Sequence, residues 1–139
     1  MGHSHYADKL LGKFSIRKTV LKREILVSLL KSKSPLSQGE LIESLSGVLE
    51  SVDRVSVYRN LNQLKAVGLI HEVEVNSYVC CSHECDAHPH LLFFCTSCEK
   101  HREVSDHVGI KNVMGALQPM GFFASSRPIY LRGICSQCV

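Results

Sequence analysis

Cys95-Thr-Ser-Cys98 and Cys135-Ser-Gln-Cys138 are two thiol pairs, each with a two-residue gap. That gap lets both sulphurs of one tight turn grip a single ion. Two such knuckles close a tetrahedron of four thiolates, a geometry that suits zinc and leaves no position open for a substrate. Zinc held in this way contributes to folding, and here it would pin the C-terminal segment back onto the strand that ends at Phe94. A redox pair of the thioredoxin type is the rival for either motif. Such a pair opens a helix after a strand, and neither proline nor glycine stands between these cysteines.

The stretch from Tyr78 to Cys98, "YVCCSHECDAHPHLLFFCTSC", holds five of the seven cysteines and three of the eight histidines. Beyond the paired thiols, the candidate ligands are His71, Cys80, Cys81, His83, Cys85, His88, His90, His101 and Glu103. For any one histidine among them, a surface or core role is the better reading. Together they gather where one half of the chain gives way to the other. An ion bound there would fix the angle between the halves, as a metal-controlled switch requires. Cys80 suits packing. Cys85, His90 and His101 are left without a role. His3 and His5 fall in an N-terminal segment expected to be loose.

The elements that position these groups come from a chain of 139 residues, long enough for one domain or two small ones. Hydrophobic residues make up 45%, enough for a packed core. The net charge of +3 does not by itself indicate nucleic acid; where the charge sits matters more. No apolar run approaches the ~20 residues of a membrane span. "MGHSHYADKL" lacks the apolar core of a signal peptide. The expected location is the cytoplasm, where thiols stay reduced and serve metals rather than disulfides.

Composition changes near Cys80, giving expected domains 1–80 and 81–139. In the first, Ile16, Val20, Leu21, Ile25, Leu29 and Leu30 share one side of a helix over Ile16–Ser32, with Arg17, Lys18, Lys22 and Arg23 around the rest. "SQGE", Ser37–Glu40, is a capping-box pattern that starts a short second helix. Asp53 caps a third helix, Arg54–Val67, that buries Val57, Leu61, Leu64 and Val67. Gly68 follows as a left-handed cap. A hairpin then turns at Asn76-Ser77. Three helices and a two-stranded wing predict a winged helix-turn-helix DNA-binding domain. The third helix exposes Arg54, Ser56, Tyr58, Arg59, Asn60, Asn62, Gln63 and Lys65, a set that suits base edges and phosphates. Lys18, Lys22 and Arg23 are candidates for phosphate.

The second half reads as a small α/β domain, so the whole is α+β. Leu91–Phe94 form an apolar strand, and His101 and Glu103 fall on one side of the next. A helix over Asp106–Gln118 is expected to bury Val108, Ile110, Val113, Met114 and Leu117, with Pro119 ending it. A last strand runs through Phe122–Ile134, interrupted near Pro128. The open sheet needs cover, which a symmetric dimer supplies.

"DRVSVYRNLNQLKAVGLIHEVE", with H-x-H and two Cys-x-x-Cys pairs behind it, resembles the ferric uptake regulator superfamily over about Ile16–Cys138. The resemblance implies a homodimeric, metal-activated repressor that binds palindromic double-stranded operator DNA. It also implies a dimerisation domain stapled by zinc at Cys95, Cys98, Cys135 and Cys138. "GLIHEVEVNSYVCC" and its following histidines most resemble the family's zinc-responsive branch. That likeness implies a regulatory zinc at His71, Cys81, His88 and Glu103, so that each subunit holds one structural and at least one regulatory Zn2+. Tyr58 and Arg59 match the family's DNA-contacting "VYR". Glu99 stands where the family commonly has glycine.

A thiolate ligand favours zinc over iron or manganese. An iron-, manganese- or peroxide-responsive relative would instead draw on Asp86, His88, His90 and Glu103. A zinc-stapled adaptor without DNA is a more distant alternative. A zinc hydrolase or deaminase would need an open water position and an H-x-E paired with P-C-x-x-C, which the sequence does not offer. No enzyme activity, small-molecule substrate or membrane partner is expected.

Overall fold

The computed structural model describes residues 2–74, 76–80, 91–104, 107–123 and 129–139. The chain divides into two units, Met1–His83 and Glu84–Val139. In the first unit the order is α1 (Gly2–Lys13), α2 (Val20–Lys31), β1 (Leu36–Ser37), α3 (Gln38–Ser46), α4 (Arg54–Ala66), β2 (Ile70–Glu74) and β3 (Ser77–Cys80).

Capping side chains set the helix starts. Thr19, in an extended conformation, accepts the Lys22 N–H at 3.2 Å, so α2 begins at Val20 rather than Ile16. Ile16 still packs against the core from outside the helix. The capping box of α3 is complete: Ser37 Oγ accepts from Glu40 N at 3.1 Å, and Glu40 Oε1 accepts from Ser37 N at 3.4 Å. Asp53 caps α4 through the Ser56 N–H at 3.1 Å. Gly68 follows α4 with φ of 84°, a conformation that glycine adopts without steric cost. Val67 is 39% exposed, not buried, because α4 ends just before it.

The N-terminal segment is a helix rather than a loose end. Ala7, Leu10 and Leu11 recur at helical spacing and are no more than 3% exposed. Asp8 accepts from Arg23 Nε at 2.7 Å, tying α1 to α2. Three apolar residues within about one turn are too short a signal to reveal a helix by periodicity. His3 and His5 lie on its exposed side.

β3 is the central strand of the first sheet, ordered β1-β3-β2. Leu36 pairs with Tyr78, and Ile70 with Cys80. Asn76 turns the hairpin at φ 63°. Leu11, Ile25, Leu26, Leu41, Leu45, Val57, Leu61, Leu64, Ile70 and Tyr78 form one core.

The second unit contains β4 (Leu91–Cys95), β5 (His101–Val104), α5 (His107–Leu117), a 3-10 turn (Gln118–Met120) and β6 (Ile129–Gly133). β4 is central, antiparallel to β5 and parallel to β6. Pro119 sits in the first turn of the 3-10 segment, where its missing N–H is tolerated, and Gly121 at φ 84° ends that segment. Two expectations fail here. Of the α5 residues expected to be buried, Ile110 is 5% exposed, but Val108 and Val113 are 69% and 49% exposed. Val108 stands two residues from Ile110 and so falls on the other side of α5, while Val113, three residues on, shares the Ile110 side but is left uncovered. The last strand starts at Ile129, leaving Phe122 and Phe123 outside it at 59% and 81% exposed. Pro128 and Asp106 lie outside the described residues.

Leu11 is fully buried, so Leu11→Ala should destabilise the first unit by about 2–5 kcal/mol. Urea unfolding followed by circular dichroism would read this as a lower midpoint with an unchanged slope. A loose terminus would leave the midpoint where it was.

Candidate metal centre and nucleic-acid interface

Cys95 ends β4, and Cys98 lies in the turn that follows; Cys135 and Cys138 follow β6. Parallel pairing of β4 with β6 places Cys95 opposite Gly133, so the two knuckles emerge at the same end of the sheet. Thr96 N donates to Gly133 O at 2.9 Å, joining the first knuckle to the strand that leads into the second. A Cβ at Gly133 would stand 3.0 Å from the Phe93 ring, so only glycine fits without moving it. Glu99 closes the first knuckle at φ 61°. This is the left-handed conformation that a glycine would adopt more easily, which explains why glycine suits the position Glu99 fills.

The four Sγ atoms all lie within 4.8 Å of one another. A Zn–S bond near 2.3 Å sets the edges of a thiolate tetrahedron at about 3.8 Å, and Cys98 Sγ stands 3.8 Å from Cys135 Sγ. The donor set therefore fits zinc in both type and size. Backbone N–H groups, that of Cys98 foremost and that of Cys135 next, lower Cys95 to about 6. Contact with Cys135 pushes Cys138 up to about 12. The shifts are opposed because backbone amides stabilise the Cys95 thiolate, while Cys138 meets the sulphur of Cys135. A dication at the centre removes that conflict. Among the described residues this is the only group of three or more His, Cys, Asp or Glu side chains close enough to share an ion.

The other expected ligands fall differently. His71 lies in β2 of the first unit, paired with Val79 and 9% exposed. It alternates with Ile70, so it faces away from the core that Ile70 enters and is buried even so. Glu103 is half-buried in β5 of the second unit, opposite Leu92. Cys81 and His88 lie outside the described residues, as do His83, Cys85, Asp86 and His90. His101 shares the Glu103 side of β5. Its Nδ1 is buried with no hydrogen-bond partner among the described residues, and burial holds its pKa below the ordinary value.

The exposed side of α4 forms two stripes at four-residue spacing: Arg54, Tyr58 and Asn62, and beside them Val55, Arg59 and Gln63. Ser56 and Lys65 are otherwise engaged. Ser56 Oγ donates to Asp53 at 2.9 Å, which serves the cap. Lys65 Nζ donates to Glu72 Oε2 at 3.0 Å, while Glu72 Oε1 accepts the Asn76 N–H at 2.9 Å. One carboxylate thus fastens the end of α4 to the hairpin. Nothing in the periodicity of either element marks that bridge. Of the basic residues around α2, Lys18 is exposed, Lys22 is 9% exposed and Arg23 is held by Asp8.

The sequence profile of the ferric uptake regulator family matches residues 13–123. The chain is 30% identical over 137 residues to the zinc uptake regulation protein of Escherichia coli, covering 96% of this chain and 79% of that one. It is 24% identical over 132 residues to the ferric uptake regulation protein of Staphylococcus epidermidis, covering 95% and 93% of the two chains. Among solved structures, a zinc uptake regulator complexed with zinc and DNA superposes with a TM-score of 0.80 at 27% identity, covering 97% of this chain and 91% of that one.

A winged-helix unit followed in the chain by a four-cysteine α/β unit, with the family match, makes this a transcriptional regulator and not an enzyme. The chain belongs to the ferric uptake regulator family.

Four thiolates around one zinc predict that Cys135→Ser lowers the tightly held zinc by one ion per chain. Elemental analysis after dialysis against a mild chelator measures this. The same variant should unfold at a lower temperature, because metal binding is coupled to folding. Retention of the full zinc content by the serine variant would exclude Cys135 as a ligand.

Proposed function

We propose that this protein is a zinc-responsive transcriptional repressor, acting in the cytoplasm as a homodimer on palindromic operators that control zinc uptake. The observation that carries the proposal is the likeness of 97% of the chain to a regulator solved with both zinc and DNA. The open Tyr58–Arg59 face of α4 supports the DNA contact. The exposed apolar residues of the second unit, among them Val108, Val113, Phe123, Leu131 and Ile134, support a second copy as cover.

In this proposal residues 1–80 bind DNA and 81–139 dimerise. One zinc is permanent, held by Cys95, Cys98, Cys135 and Cys138. A second enters at His71, Cys81, His88 and Glu103 as free zinc rises. It acts by binding the DNA-competent arrangement more tightly than the others, and DNA tightens zinc binding in return. Iron, manganese or peroxide sensing is the second reading, supported by the 24% identity to a ferric uptake regulation protein.

The deciding experiment measures binding to a duplex selected from a randomised pool against buffered free zinc, with iron and manganese in parallel. Zinc should switch binding on in the wild type, and Cys81→Ser should stay off while still dimeric. A normal response from the serine variant, or better activation by iron, would move the assignment to a histidine–carboxylate sensor.

Arg59→Ala should cost about 1–3 kcal/mol and relax preference at one purine of each half-site. Lys18→Ala should weaken all sequences alike and reduce the salt slope by about 1. Competition between selected and scrambled duplexes separates the two. If Arg59→Ala leaves the preference intact, Arg59 does not read bases.

A further inference from the structure

We infer that Val55 is a specificity-determining residue that reads the C5-methyl group of a thymine close to the purine read by Arg59. The inference rests on the DNA-binding reading above and goes beyond it.

Val55 is the second residue of α4 and is 61% exposed. Single exposed apolar side chains are common and by themselves mean little. Its phase is what distinguishes this one. Val55, Arg59 and Gln63 lie on one stripe, each four residues from the next, and all are exposed. A helix that enters the major groove contacts base edges through its N-terminal residues. In the first turn of α4, the Ser56 hydroxyl donates to Asp53 at 2.9 Å, and the Asp53 carboxylate also accepts the Ser56 N–H at 3.1 Å. The Ser56 hydroxyl proton and N–H both serve the cap, and its side chain is half-buried. Arg54 and Val55 are the exposed side chains of that turn.

A valine neither donates nor accepts a hydrogen bond, so it cannot reward a base edge that does either. The apolar feature of the major groove is the thymine C5-methyl. Four helical residues advance about 6 Å, and stacked base pairs advance about 3.4 Å. A side chain one helical turn before Arg59 therefore meets a base about one to two pairs from the purine that Arg59 contacts.

The test uses full-length, zinc-loaded protein and a duplex that it selects from a randomised pool. Arg59→Ala locates the purine by loss of preference there. Each thymine within three pairs of it is then replaced by deoxyuridine, which removes the methyl group alone. For the wild type, one such replacement should weaken binding about fourfold per half-site, the value of burying one methyl-sized group. For Val55→Ala, whose shorter side chain reaches the methyl less, the same replacement should cost clearly less. Alanine is the better helix former at an exposed position, so this variant keeps its fold.

A set of replacements without effect on the wild type overturns the inference, as does a loss that persists undiminished in Val55→Ala. In both cases the DNA-binding reading stands. If zinc-loaded protein selects no duplex at all, that reading fails and takes this inference with it.

Discussion

Four sulphurs within 4.8 Å of one another cannot all ionise without a cation among them. The rest of the second unit follows from this constraint. The opposed shifts at Cys95 and Cys138 show it within the thiols themselves. The sheet shows it in its connections. β6 runs parallel to β4, so two segments far apart in sequence end side by side and deliver their knuckles to one point. Gly133 clears the Phe93 ring, and Glu99 accepts a left-handed backbone to close the first turn. Each local feature serves the convergence. A unit this small gains much of its stability from such a staple, because the apolar core it can build is limited.

The core of the first unit is hydrocarbon. It joins four helices to the hairpin through Leu11, Leu26, Leu45, Leu61 and Tyr78. Side-chain caps fix where each recognition element begins, and Glu72 fastens the end of α4 to the wing. The exposed stripes of α4 are therefore carried on a rigid frame, as sequence-specific readout requires. Asp53 contributes at the same place: the Ser56 hydroxyl, foremost, and amide hold its carboxylate below its ordinary pKa. The negative group that caps the helix is thus kept charged at the end where the backbone dipole favours it.

The proposed regulatory residues divide between these two kinds of architecture. His71 belongs to a strand of the apolar-cored unit, and Glu103 to a strand of the thiolate-stapled unit. In the proposal above, a metal held by these residues shifts the equilibrium only by as much as it binds one arrangement of the chain more tightly than the others. Nδ1 of His101, on the Glu103 side of the same strand, is buried with no hydrogen-bond partner among the described residues.

The sequence alone determined what depends on local spacing. Cys-x-x-Cys gaps, the Ser37–Glu40 capping box, the Asp53 cap and the apolar phase of α4 each act over a few residues. Physics at that range allows few alternatives. The winged helix, the four-cysteine α/β unit and their order were legible for this reason. Tertiary structure decided what depends on partners distant in the chain. α1 forms because Ala7, Leu10 and Leu11 find α2, although their own signal is too short. Lys22 and Arg23 look available in sequence, but packing buries one and Asp8 holds the other. Val113 shares the apolar phase of Ile110 and remains exposed, because burial depends on a neighbour and not on the helix that carries the residue.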